Sequence, residues 1–167
     1  MRNDKVRIVS FVAAGSNSGK TTLIEKIIPL LKARGLRVAV VKHAPSGFEK
    51  DRPGKDSWRF SEAGADAVVV IGPGGSMFAG MPHAELEALA QDFDIIIQEG
   101  FKETAKNKIE VFRRGVSAEQ PLCMKDPTIL ALVSDTPFAT TIPRFDSNDI
   151  CGIIEYVIAN FTCPRSA

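Results

Sequence analysis

At 167 residues, with a formal net charge of +1, 44% hydrophobic and 25% charged residues, the chain has the makeup of one soluble globular domain around a single core. So balanced a charge offers no global field to nucleic acid or an anionic membrane, and neither is expected as a partner; a bound anion has to be held by local geometry. The N-terminal apolar run is broken by Gly15 and Ser16 too early for a signal peptide or membrane span, and Cys123, Cys151 and Cys163 form no CxxC pair, so free thiols in a reducing cytoplasm are expected.

No repeat or low-complexity linker interrupts the chain, and a single domain over residues 1–167 is expected. VRIVSFVA (residues 6–13) reads as a buried strand, and TTLIEKIIPLLKARG as a helix with Leu23, Ile24, Ile27, Ile28 and Leu31 at helical spacing and Gly35 at its C-terminal cap. Pro29 inside that helix removes one backbone donor and should bend it. LRVAVVKH (36–43) is a second strand, and APSGFEKDRPGK, with two prolines and two glycines, an exposed loop. Asp56 or Ser57 can cap a short helix running through Trp58 and Phe60 to Gly64. AVVVIG (67–72) is a strand, GPGGS a turn, and MFAGM a candidate antiparallel return. HAELEALAQ is a short amphipathic helix; FDIIIQEG, KIEVFRRG and TILALVSD are further strands. In NDICGIIEYVIANF, Ile150, Ile153, Ile154, Val157, Ile158 and Phe161 share one helical face, with Ser147 or Asn148 as cap. Strands alternating with helices predict an α/β fold in three layers, a mostly parallel sheet flanked by helices, with an antiparallel hairpin.

The stretch AAGSNSGKTTL carries the chemistry. The pattern G-x-x-x-x-G-K-[ST] asks for glycine at position 14, where this chain has Ala14, with Gly15 one step later. Strand, small-residue loop and a helix opening on Lys-Thr are nevertheless the context that a phosphate loop requires. Successive backbone N–H groups of Gly15, Ser16, Asn17, Ser18, Gly19, Lys20, Thr21 and Thr22 can wrap phosphate oxygens, and the helix dipole adds positive charge there. Lys20 would reach the β- and γ-phosphates and the Thr21 hydroxyl would ligate Mg²⁺. Ala14 can turn the chain off the strand at negative φ, with Gly15 supplying the unusual dihedral. The alternative is a glycine-rich helix start with an incidental lysine.

Such a site needs an acidic group, and two compete. Glu99 closes DIIIQE at a strand's C-terminal end, where open α/β sheets bind ligands; Asp56 lies in the flexible loop after the second strand and could swing towards the γ-phosphate. A solvated carboxylate and a plain helix cap are the bland alternatives. Asp94, at the far end of its strand, is expected to be structural. The chain has no N-K-x-D guanine reader; Ser134 and Asp135, ending TILALVSD, could substitute, or Asp135 could make an Asx turn before Pro137. His43 could touch phosphate or substrate or be a satisfied buried histidine, and with His83 it finds no soft ligands at zinc spacing. Lys42, Lys50, Arg52, Lys55, Arg59 and Lys102 fall in segments around the site, with Lys55 and Lys102 the preferred substrate contacts; a solvated face is the default for any one of them.

The segments GSNSGKTTL, VKH, DRPGKDSWRFSEAGA, DIIIQEGFK and ALVSD, in this order and spacing, resemble the molybdopterin-guanine dinucleotide biosynthesis protein B (MobB) family of phosphate-loop NTPases over nearly the whole chain. The resemblance implies a cytoplasmic, homodimeric GTP-binding protein with weak GTPase activity that assists MobA, the guanylyltransferase joining GMP to molybdopterin. It implies phosphates on residues 15–22, Mg²⁺ on Thr21 with Asp56 or Glu99, and the GPGGSMFAG hairpin in the dimer contact. An alanine at position 14 is compatible with the family. A small-molecule kinase with the same loop, and a nucleotide-gated adapter without catalysis, are the rival functions; the absence of an arginine-rich lid segment weighs against the kinase.

Overall fold

The computed structural model describes residues 8–47, 52–77, 92–116 and 118–162. In chain order these form β1 (Ile8–Val12), α1 (Lys20–Ala33), β2 (Val38–His43), α2 (Asp56–Glu62), β3 (Ala67–Gly72), β4 (Gly75–Met77), β5 (Ile95–Glu99), β6 (Lys108–Phe112), β7 (Ile129–Ser134), β8 (Arg144–Asp146) and α3 (Ile150–Phe161). They build one sheet in the order β4–β3–β2–β5–β1–β6–β7–β8. Only β4 among the described strands runs antiparallel, to β3; the other pairings are parallel. The fold is therefore the expected α/β architecture; the antiparallel return starts earlier than expected, at Gly75–Met77, and the rest of MFAGM lies outside the described residues. β8 was not foreseen, because its three residues RFD carry no apolar alternation.

Apolar runs of Val and Ile make the central strands, which are buried on both faces. One face packs Val9, Phe11, Val40, Ile97, Ile109 and Val133 against Ile24, Ile27 and Leu31 of α1, Phe60 of α2 and Ile153, Ile154 and Val157 of α3. All three described helices thus lie on one face; the HAELEALAQ helix, His83, Lys50 and Cys163 lie outside the described residues. On the opposite face a smaller cluster gathers Ala39, Val41, Val69, Ile71, Phe93 and Ile96.

Towards the middle strands the second face turns polar. Glu110 is fully buried, and its carboxylate accepts the Leu122 and Cys123 amides at 2.7 and 2.9 Å, capping the 3₁₀ turn Leu122–Met124. Burial holds Glu110 above the usual carboxylate range against those two hydrogen bonds. Burial, with Glu110 beside it, also pushes the Cys123 thiol up to about 11, so this free cysteine is a poor nucleophile. Asp94 accepts the Arg37 amide at 2.7 Å, the structural role expected of it.

α1 runs unbroken through Pro29, which faces solvent where a missing N–H costs least, and ends at the expected Gly35 (φ 77°) with the Leu36 amide bonded back to the Leu31 carbonyl. Two local expectations need correction. α3 is capped by Asp149, whose Oδ1 accepts the Gly152 amide at 3.0 Å, and neither Ser147 nor Asn148 serves. α2 has Lys55 at its N-cap position and no side-chain cap; Asp56 sits in the first turn, where the helix dipole favours a carboxylate. No helix among the described residues is long and apolar enough to cross a membrane.

Phe60 is the one fully buried side chain of α2, so this short helix depends on it for its place over the cleft. Phe60→Ala is expected to cost about 3–5 kcal/mol in urea unfolding; a loss under about 1 kcal/mol would show that the ring does not anchor α2.

Candidate functional site

β1, β2 and β5 end together at the carboxyl edge of the sheet, next to the N-terminus of α1, and there an open cleft of about 1010 Å³ forms. Residues 13–19 join β1 to α1 along its floor. The left-handed backbone that the loop needs falls at Asn17 (φ 60°) and Gly19 (φ 92°), which corrects the expectation for Gly15. Asparagine tolerates this region better than most residues, so the displaced glycine is not needed to open the loop. Ser18 is buried and donates to the Gly15 carbonyl at 2.7 Å, drawing the loop into a ring, and Lys20 Nζ donates to the same carbonyl at 3.3 Å.

The acidic candidates converge on this floor. Glu99 is 5% exposed, and β-pairing sets it beside both Phe11 and Lys42. Its Oε1 accepts the Thr21 hydroxyl at 2.5 Å, and its Oε2 takes Lys42 Nζ at 3.0 Å. Lys42 also bonds Asp56 Oδ2, so the carboxylate pictured as swinging free is tied down from α2. Arg59 joins Glu25 of α1 at 2.5 Å and approaches the Thr22 hydroxyl and Asp56, which staples α2 to α1. Glu99 therefore meets the start of α1 directly, and Asp56 joins it through Lys42 in one cluster.

Burial holds the Lys20 ammonium below its ordinary range, with Lys42 and Lys102 pushing the same way against Glu99 and Asp56. Burial also works against Lys42, yet Glu99 and Asp56 outweigh it and raise its pKa. The donors Thr21, Asp56 and Glu99 are oxygens, which suits a hard divalent cation such as Mg²⁺. Among the described residues no group of three His, Cys, Asp or Glu is placed to hold a metal alone, so a cation here needs the Thr21 hydroxyl and ligand oxygens to complete its shell.

The outer wall is made by His43, Pro45, Ile71, Phe101, Lys102 and Thr104. His43 is exposed, not a buried histidine, and stacks on Phe101 with ring centroids 5.0 Å apart. The chain turns sharply behind them: Gly100 (φ 92°) and Phe101 (φ 57°) are successive left-handed residues, and a Cβ on Gly100 would stand 3.1 Å from the His43 Cβ. Glycine takes this conformation freely, so the strain sits at Phe101, and strain at a cleft marks a shaped surface. Lys102 lies on this wall; Lys55 is not among the described residues lining it.

A smaller cavity of about 320 Å³ opens on the other side of the loop, sharing Ser18, Gly19 and Thr22 and lined by Lys26, Phe112, Arg113, Asp135 and Asn148. Asp135 is exposed there and pairs with Arg113 at 3.3 Å. Ser134 is fully buried, its hydroxyl exchanged with the Thr136 backbone, so its side chain does not face the cavity and is removed from the base-reading candidates. One residue escaped the sequence reading: Arg113, just past the end of β6, close to the strand-end position that singled out Glu99. Lys42 was placed around the site with a solvated face as its default, although a lysine in the apolar strand VAVVKH is itself a signal of a partner.

A family model described as molybdopterin guanine dinucleotide synthesis protein B matches residues 8–135, from β1 to the end of β7 and Asp135. The chain belongs to the MobB family. It is 35% identical over 155 residues to an Escherichia coli (strain K12) protein named molybdopterin-guanine dinucleotide biosynthesis adapter protein, covering 87% of this chain and 89% of that one. A Haemophilus influenzae protein of the same name is 36% identical over 151 residues, covering 85% and 83%. Among solved structures, a molybdopterin-guanine biosynthesis protein B (mobB) matches with TM-score 0.57 at 33% identity, over 91% of this chain and 97% of that one, and Bacillus subtilis MobB with TM-score 0.60 at 25% identity, over 92% and 97%.

The Glu99–Gly100–Phe101 corner is the least forgiving part of this MobB site. Gly100→Ala is expected to lose about 1–2 kcal/mol from the left-handed backbone alone, with a further loss from the His43 contact, in thermal unfolding. Stability equal to wild type would mean that the corner relaxes freely.

Proposed function

We propose that this MobB-family chain binds GTP with Mg²⁺ and hydrolyses it slowly, as an accessory protein in molybdopterin guanine dinucleotide formation beside a MobA-like guanylyltransferase. The observation that carries this reading is the meeting, at one helix N-terminus, of a left-handed loop, Lys20, the Thr21 hydroxyl and the buried Glu99. Amides of residues 15–22 hold the phosphates, and Lys20 leaves the Gly15 carbonyl to meet the β- and γ-oxygens. Thr21, with Glu99 and Asp56, holds the Mg²⁺, which when bound neutralises charge on the phosphates.

Hydrolysis would form a bond from water oxygen to the γ-phosphorus and break the bond to the β-bridging oxygen. Slow turnover is expected because Glu99 and Asp56, which with Thr21 would hold the Mg²⁺, are then committed to the cation and neither is left as a general base for the water. The small cavity takes the base, with Asp135 accepting from guanine N1–H and the N2 amine once Arg113 releases it. Molybdopterin or a derivative takes the outer wall, stacked on His43 and Phe101 with Lys102 near its phosphate; Lys55 is a more distant contact. The adapter names of the relatives support action through a partner protein. The short antiparallel edge strand β4 supports a homodimer contact at that edge, and a cytoplasmic site of action completes the reading.

Calorimetric titration with GTP and ATP, with and without Mg²⁺, tests this directly. GTP should bind more tightly than ATP and need Mg²⁺ for full affinity; equal affinities would remove the guanine assignment. Lys20→Ala should abolish triphosphate binding while leaving the unfolding midpoint near wild type, since the half-buried Lys20 side chain bonds only a loop carbonyl. Asp135→Ala should bring GTP affinity down to that of ATP.

A further inference from the structure

The oxygens that suit a divalent cation already surround a cation belonging to the chain. Glu99 and Asp56 both converge on Lys42 Nζ, and the other oxygen of Glu99 is held by Thr21. Two carboxylates brought together beside a buried strand end repel unless a positive charge stands between them. Lys42 supplies that charge from a fixed place, since the β2–β5 register sets Lys42 directly opposite Glu99. Other cations face the cluster less closely: Lys20 bonds the Gly15 carbonyl, and Arg59 is spent mainly on Glu25, reaching Asp56 only at 3.9 Å.

We propose that Lys42 is the positioning residue of the metal site: its ammonium stands in for the divalent cation in the nucleotide-free protein, holding Glu99 and Asp56 in place, and turns to the phosphates when Mg²⁺ enters with the nucleotide. This rests on the nucleotide reading above. A bare divalent cation must displace an ammonium from two carboxylates and, among the described residues, finds the Thr21 hydroxyl and those carboxylates as its protein ligands, so it binds poorly alone. A cation arriving on a triphosphate brings ligands of its own and also brings anionic oxygens to receive the displaced Lys42. The lysine thereby makes metal binding conditional on nucleotide.

The test is Mn²⁺ binding to nucleotide-free protein, followed by the electron paramagnetic resonance of the free ion, for wild type, Lys42→Met and Lys42→Gln. Circular dichroism first establishes that each variant is folded, and the glutamine variant, which keeps a hydrogen bond to Asp56 without the charge, serves if the methionine variant is not. Both should bind Mn²⁺ at least about tenfold more tightly than wild type, because the competing charge is gone. Adding Glu99→Gln to Lys42→Met should abolish the gain. Equal Mn²⁺ affinity in wild type and a folded Lys42 variant overturns the proposal, as does a gain that survives Glu99→Gln. Titration of wild type with GTP and Mg²⁺ separates the two readings: nucleotide binding without the Mn²⁺ gain rejects the role of Lys42 alone, whereas the Mn²⁺ gain without any nucleotide binding rejects the nucleotide reading.

Discussion

The Lys42 ammonium holds the carboxyl edge of the sheet together. It bonds Glu99 on β5 and Asp56 on α2, and Glu99 in turn bonds Thr21 on α1, so four elements meet through one charge. Partly buried ion pairs of this kind add little net stability, because desolvation offsets most of the Coulomb gain. Their geometry has to be imposed from beneath. Here it is imposed by strand register and by Phe60, since the strands carrying Lys42 and Glu99 are bonded side by side and the helix carrying Asp56 is anchored in the core. The apolar sheet stabilises, and the polar edge spends some of that stability on position.

Backbone strain is distributed on the same logic. The left-handed residues that border the cleft fall at Asn17 and Gly19 on one side and at Gly100 and Phe101 on the other. At Asn17 and Phe101 the conformation costs more than at glycine, and both residues directly follow or precede groups that line the cleft. The loop's backbone does not need a glycine at position 14, because the unusual dihedrals lie further along it than the consensus spacing places the first glycine.

Much of this was legible in the sequence. The strand and helix periods are strong where the core is deep, so β1, α1, β2, β3, β5, β6, β7 and α3 could be read from apolar spacing. The turn from β1 into α1 was legible as a candidate phosphate loop because local chemistry, a helix start and small residues all agree within ten positions. What the sequence hid is what depends on long-range register. That Lys42 faces Glu99 across 57 positions is a property of strand pairing, and no local pattern marks it. Helix caps slipped by one or two residues for a similar reason: Ser147, Asn148 and Asp149 all have capping chemistry, and the turn after β8 decides which one faces the first amides. Asp56 was misjudged as mobile because it opens α2 and its tether is a lysine on β2.

The two cavities give the arrangement its direction. They meet at Ser18, Gly19 and Thr22, and Arg113 borders both, so a nucleotide whose base fills the smaller one must lay its phosphates across the start of α1 and present the terminal phosphate to the larger. On the proposed reading that leaves the outer wall of His43, Phe101 and Lys102 as free space directly beyond the γ-phosphate. On the same reading the stacked His43–Phe101 pair borders that space, and Glu99 and Asp56 are committed to the cation and not to an attacking water. A long-lived triphosphate complex with an open second surface is then the state favoured, and it suits action through a partner protein.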